Sequence, residues 1–228
     1  MRSVFVMVLL VLPAWVMGQS IKLAGYFTQD QKAFLNSKSL HQAVDFSSVD
    51  YDLLHAAIFH LTNLERIKAG KVPFLPSQEA INSASGHAED MVSYNFYGHT
   101  SPIRFRRTLR DRLNRSGINP PYIGENILST YGIQYQEGLK VRKPARPGEF
   151  RYLTASQSGQ IPPHTYFSLA ESMVRLWMNS PGHRQNILNP VFTHLGCGTK
   201  IYFDKNFYGM PYFMAVQNFF GRQSTLKP

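Results

Sequence analysis

The chain has 228 residues, of which 43% are hydrophobic and 17% charged, with a formal net charge of +10. That length suits one well-filled domain, and the balance excludes a disordered chain. A single cysteine, Cys197, excludes an internal disulfide, so stability must come from the core. The basic excess favours anionic partners such as cell-surface polymers or phospholipid headgroups; no aromatic-interleaved basic motif accompanies it, so nucleic acid is not expected.

The first 18 residues read as an export signal: Arg2, an apolar run over 4–11, then a small-residue exit. Secretion to the extracellular or periplasmic space is the expectation. No segment of the mature chain is apolar enough to cross a bilayer. Residues 19–48 are polar and weakly patterned, an N-terminal extension in which His41 falls in a weakly ordered stretch. From Tyr51 the helical period is clear, with Leu54, Ala57, Ile58, Leu61 and Leu64 at spacings of three and four, Asp50 or Asp52 as cap and Gly70 as stop. A second helix is expected over about 77–95, its stripe formed by Ile81, Ala84, Ala88, Met91 and Val92. Gly86 inside it costs about 1 kcal/mol against Ala unless close packing requires it. An arginine-rich helix follows, with Phe105, Leu109 and Leu113 facing inward and the sequence Asn119-Pro120-Pro121 as its stop.

Between Asn126 and Phe167 the pattern dissolves. This reads as an insertion, about residues 133–166, carrying at most a hairpin or one short strand. Order returns at Phe167, where Ser168 and Glu171 have capping-box spacing. Ser180-Pro181 opens another helix. Strands are expected over 195–203 and 212–220, joined by a turn into an antiparallel hairpin. Cys197, between two glycines, reads as a buried apolar side chain.

Six short motifs then appear in order. Asn63, Arg66 and Gly70 end the first helix. Ala88 and Met91 lead to Phe96 and His99-Thr100-Ser101-Pro102. Gly124-Glu125-Asn126-Ile127, Glu171 with Trp177, and Ser180-Pro181-Gly182-His183-Arg184 with Asn186-Ile187-Leu188 follow; Gly196, Gly198 and Gln217-Asn218-Phe219 close the set. In this the chain from about Leu54 to Gly221 resembles the CAP superfamily (cysteine-rich secretory proteins, antigen 5 and pathogenesis-related-1 proteins, or SCP-like extracellular proteins), in its bacterial, cysteine-poor branch. The resemblance implies an α+β fold, an α-β-α sandwich with a central antiparallel sheet flanked by helices. The domain is expected over 49–222, with a tail at 223–228.

The resemblance also implies a cavity lined by a tetrad, His99, Glu125, Glu171 and His183. Neutral imidazoles with nearby carboxylates suit Zn²⁺, or another divalent metal such as Mg²⁺, at low affinity. The expected function is a binding module for a lipid, cell-envelope or protein ligand. The alternative is a metal-assisted hydrolase of the peptidase kind, with Glu125 and Glu171 as catalytic carboxylates. No nucleophile motif supports covalent catalysis.

Overall fold

Adjacent residues on a strand point to opposite faces, and this alternation organises the molecule. The computed structural model describes residues 25–146, 148–154 and 159–221; the expected signal segment and C-terminal tail lie outside them. Strands β5 (His194–Asp204) and β6 (Met210–Gly221) form the expected antiparallel hairpin. A third long strand, β2 (Tyr122–Tyr131), pairs antiparallel with β6, and the two-residue β1 (Leu75–Pro76) pairs parallel with β5, giving the order β1-β5-β6-β2. The ten-residue β2 replaces the patternless stretch expected beyond Asn126. Both its faces are largely covered, so it lacks the polar alternation of a half-exposed strand.

Helices cover both faces. On one side lie α3 (Gln78–Ser93) and the shorter α4 (Leu109–Arg115). On the other lie α2 (Tyr51–Lys68), α5 (Tyr166–Asn179) and α6 (Pro181–Leu188), with α1 (Gln31–Leu35) and a 3₁₀ turn (Lys38–His41) outside them. This is the α-β-α sandwich of an α+β fold. Asp50 caps α2 by accepting from the Leu53 N–H, and Ser77 caps α3 through Ala80 N–H. The helix α5 begins one turn earlier than expected, on a Thr165/Ser168 capping box. Its buried stripe is Tyr166, Leu169, Ala170, Met173, Val174 and Trp177.

The approach of α3 to the sheet dictates two glycines. A Cβ on Gly196 would stand 2.1 Å from the backbone of Ala80, and one on Gly198 2.1 Å from Ser85 N. Asn63 and Arg66 fasten α2 to its surroundings. The Asn63 amide exchanges two hydrogen bonds with the Phe74 backbone, and the buried Arg66 guanidinium donates to the carbonyls of Val72, Ile187 and Asn189 while lying over the Phe74 ring.

Two regions differ from the expectation, and the insertion agrees with it. The N-terminal extension is part of the domain: Phe27, Phe34, Leu40 and Val44 are buried in the main core, and His41 packs against Phe167. The arginine-rich helix is confined to seven residues, and Phe105 lies before it, 67% exposed with φ at 68°. The insertion holds a short hairpin, β3 (Val141–Arg142) with β4 (Arg151–Tyr152), over a small core of Ile133, Phe150, Ile161 and Met210.

Replacement of either Gly196 or Gly198 by Ala forces backbone against backbone, where no rotamer change relieves the clash. Each is expected to cost about 3 kcal/mol or more, at the upper end of overpacking effects, measured as a shift of the urea midpoint; a loss below about 1 kcal/mol would show that α3 can retreat from the sheet.

Candidate functional site

The strand β2 is the sheet edge, and its sequence Gly124-Glu125-Asn126 uses both faces at once. A Cβ on Gly124 would stand 2.7 Å from the Phe192 ring, so any other residue there requires that ring to shift. Glu125 turns to the α3 side and Asn126 to the α2/α5/α6 side. In register they sit opposite Asn218 and Gln217 of β6.

On the α3 side, the Glu125 carboxylate is buried and fully engaged. His99 Nδ1 lies 2.9 Å from Oε1, and Arg112 Nη2 lies 2.6 Å from Oε2. With its amide oriented to satisfy its neighbours, Asn218 donates to Oε2 at 3.0 Å and accepts from the Ser83 hydroxyl and the Ala84 N–H. His87 Nε2 is 3.9 Å from Oε1 and donates to the Gly98 carbonyl at 3.1 Å. Burial pushes the Glu125 pKa upward, but the His99 bond and the Arg112 charge outweigh it and hold the group below its ordinary value. The carboxylate is therefore an anion and a weak base.

On the other side, the Asn126 amide donates to the His183 carbonyl at 3.1 Å and to Gln217 Oε1 at 3.0 Å, and its oxygen accepts from Asn186. Gln217 in turn donates to Thr62 of α2 at 2.8 Å. Asn186 also donates to the Glu125 carbonyl on the outer edge of β2. These bonds fix α6 beside the strand edge and bring His183 into the same neighbourhood as His99. The bond to Glu125 raises the pKa of His99, while burial, with a smaller contribution from the His99 charge, lowers that of His183.

The structure thus joins His99 to Glu125 and sets His183 within electrostatic range of His99, and it places Glu171 elsewhere. On α5, Glu171 stands well off the buried stripe and is exposed. It lines a separate groove of about 840 Å³ between α2 and α5, with Leu61, Leu64, Phe167 and Val174. On this point the expected tetrad is corrected: Glu171 belongs to a different groove and is removed from the carboxylates available beside His99. Two residues take part that sequence reasoning passed over. Arg112 falls on the inward face of α4 with Leu109 and Leu113, and His87 falls on the apolar stripe of α3 between Ala84 and Ala88. A charged or imidazole side chain at such a stripe position was the available signal.

Among the described residues, no group of three or more His, Cys, Asp or Glu side chains is set to hold a metal ion. The donor chemistry decides what could. Glu125 is committed to Arg112, His99 and Asn218, leaving the imidazoles of His99 and His183. A neutral His99 that donates from Nδ1 to Glu125 has Nε2 free as a ligand, the usual carboxylate–histidine arrangement. Two nitrogen ligands with water fit zinc and do not fit magnesium, which requires oxygen. Cys197 is buried, its thiol pushed far up by burial, and takes no part.

Two outcomes follow from these environments. The ion pair of Arg112 and Glu125 is buried at both ends, so Arg112→Met leaves a buried carboxylate uncompensated and should cost about 3–5 kcal/mol in chemical denaturation. Adding Glu125→Gln should recover part of that loss; a full cost in the double variant would mean that Arg112 acts through packing and its carbonyl bonds alone. The second outcome concerns acid. Burial lowers His55 and His87 to about 4, whereas an unfolded histidine titrates near about 6.5. Between these values the unfolded chain binds more protons, so their contribution is complete above about pH 6.5 and is lost as pH falls to about 4. Urea midpoints should decline through that window; a profile flat down to pH 4 contradicts the buried neutral imidazoles.

Comparison with known proteins now adds ancestry. The model of the Cysteine-rich secretory protein family, CAP, matches residues 59–219. The chain is 31% identical over 142 residues to YkwD, an uncharacterized protein of Bacillus subtilis (strain 168), covering 62% of this chain and 40% of YkwD. It is 30% identical over 151 residues to the uncharacterized membrane protein YlbC of the same strain, covering 66% of this chain and 33% of YlbC. The chain therefore spans less than half the length of these curated relatives. Among solved structures, an extracellular protein containing an SCP domain from Bacillus anthracis str. Ames aligns with a TM-score of 0.48 and 27% identity, covering 75% of this chain and 41% of that one. The CAP domain of Enterococcal PrgA aligns with a TM-score of 0.45 and 13% identity, covering 96% and 84%. The family match spans well over half of the chain, and the chain belongs to the CAP family of cysteine-rich secretory proteins.

Proposed function

We propose that this protein is an exported binding module whose cleft, at the outer edge of β2, holds a divalent metal of the zinc type between His99 and His183 and uses it to engage a cell-envelope ligand. The observation that carries this reading is the bond from His99 Nδ1 to the buried Glu125 carboxylate. It fixes the ring and raises the basicity of the free Nε2. When bound, the ion would supply Lewis acidity and an open coordination position for an oxygen of the ligand. His183 is positioned through its own backbone carbonyl by Asn126, and its lowered pKa keeps it neutral and able to ligate near neutral pH. Export is supported by the charged and apolar leader of residues 1–18, and among the described residues no helix is long and apolar enough to cross a membrane.

Binding is placed ahead of hydrolysis because of the state of Glu125. A metal-assisted hydrolase needs a carboxylate free to accept a proton from water. Both oxygens of Glu125 are engaged and its pKa is lowered. An anionic envelope polymer or headgroup suits the basic chain better than a cationic ligand does.

Calorimetric titration with Zn²⁺ tests the proposal. The wild-type chain should bind one ion; His99→Ala and His183→Ala should each weaken binding at least tenfold, and Glu125→Gln about 10–100-fold, the usual effect of losing a partner behind a ligand. Equal zinc affinity in the wild type and the His99→Ala/His183→Ala double variant rules the site out.

A further inference from the structure

Gly86 lies within α3, where glycine costs about 1 kcal/mol relative to alanine. Close packing imposes Gly196 and Gly198, but a Cβ on Gly86 would meet nothing within 4 Å. Close packing therefore does not explain it. Its bare Cα borders a pocket of about 180 Å³ between α3 and the start and end of α4, walled also by Asn82, Ser83, Arg106, Arg112 and Arg115. A larger side chain at position 86 would fill that space.

Three guanidiniums wall this pocket. Arg106 pairs with Asp90 at 2.9 Å, and Arg112 pairs with Glu125 at 2.6 Å. Arg115 has no ion-pair partner among the described residues, while Asp111 on the same helix adds a longer-range interaction with Arg112. Arg112 is 3% exposed and nearly all its donors are spent: Nη1 on the carbonyls of His99, Arg106 and Arg107, Nη2 on Glu125. Its Nε is buried and has no partner. That Nε is closed to solvent, so an anion in the pocket would meet Arg112 through the charge of its guanidinium and not through this donor.

We propose that this pocket is a binding site for a small oxyanion, phosphate or sulfate, either free or as the terminal group of a larger molecule. The volume falls below the roughly 300 Å³ at which sites for drug-sized molecules begin, yet leaves room for a tetrahedral anion. Guanidinium groups match oxyanions in geometry as well as charge. Arg115 supplies donors at the rim, Arg106 adds those of its nitrogens not held by Asp90, and the Asn82 amide supplies another, since its oxygen already accepts from Gln78. Arg112 stands between this pocket and Glu125, so an anion seated here shares its guanidinium with the His99 cleft. The site is distinct from that cleft and does not depend on its binding metal.

The experiment is thermal denaturation of the chain in increasing sodium phosphate, against sodium chloride at the same ionic strength. The wild type should show a saturable rise in Tm specific to phosphate and sulfate. Arg115→Gln, at the exposed end of α4, and Gly86→Leu, which fills the pocket with a better helix former, should each raise the half-saturating concentration at least tenfold. Arg115→Gln carries the test by itself if the leucine variant does not fold. Displacement of bound phosphate by glycerol phosphate would identify the anion as the end of a larger molecule, and its failure to displace would identify the free ion; either supports the site. No gain beyond chloride, or an undiminished gain in Arg115→Gln, overturns it.

Discussion

A buried carboxylate must be met by donors or it will be protonated, and the folded arrangement around β2 is the set of donors that Glu125 demands. Each comes from a different part of the chain: Arg112 from α4, Asn218 from β6, and His99 from the turn that leaves α3. Holding one anion therefore fixes the relative position of a helix, a strand and a loop. The same anion sets the chemistry of the exposed histidine. His99 is oriented by a bond to a group that cannot move, which is the physical basis of preorganisation in a site of this kind.

The location of the His99–Glu125 pair follows from the edge position of β2. An interior strand has neighbours on both sides and offers only its faces. An edge strand offers faces and a free margin, and here the margin is closed by side chains instead of by another strand. Asn186 takes the Glu125 carbonyl, and Tyr97 approaches that of Ile127. This protects the edge from pairing with other chains and leaves the space beside it to His99 and His183. The alternation of the strand then allots Glu125 to one helical layer and Asn126 to the other, so that Glu125 bonds the His99 ring while Asn126 holds the backbone of His183.

Glycine has three separate roles in the same neighbourhood. Gly124 admits the Phe192 ring, and Gly196 and Gly198 admit the backbone of α3. Gly86 admits nothing, and borders empty space walled by arginines. The contrast matters because glycine in a helix or strand always carries a conformational cost. Three of these positions repay it in packing that can be identified atom by atom. The fourth does so only if the space it preserves is used.

The amino-acid sequence by itself determined the features that local physics controls. The stripe of Leu54, Ala57, Ile58 and Leu61 marked α2, Ser180-Pro181 marked the start of α6, and the apolar runs around Cys197 and Val216 marked the central hairpin. Its ordered motifs pointed to the α-β-α sandwich and to His99, Glu125 and His183 as candidates. Tertiary structure alone decided the rest. Glu171 was excluded from the cleft because the buried stripe of α5 turns it toward another groove, and a capping box placed one turn earlier removed its expected role as a cap. Arg112 was drawn in because a distant carboxylate needed a cation. The strand β2 depends on β6, which lies far along the chain, and Val44 is held by the backbone of His164. Periodicity records which face of an element is apolar, whereas hydrogen bonds between distant segments leave no periodic trace, so the partners of a buried charge are settled only when the layers meet.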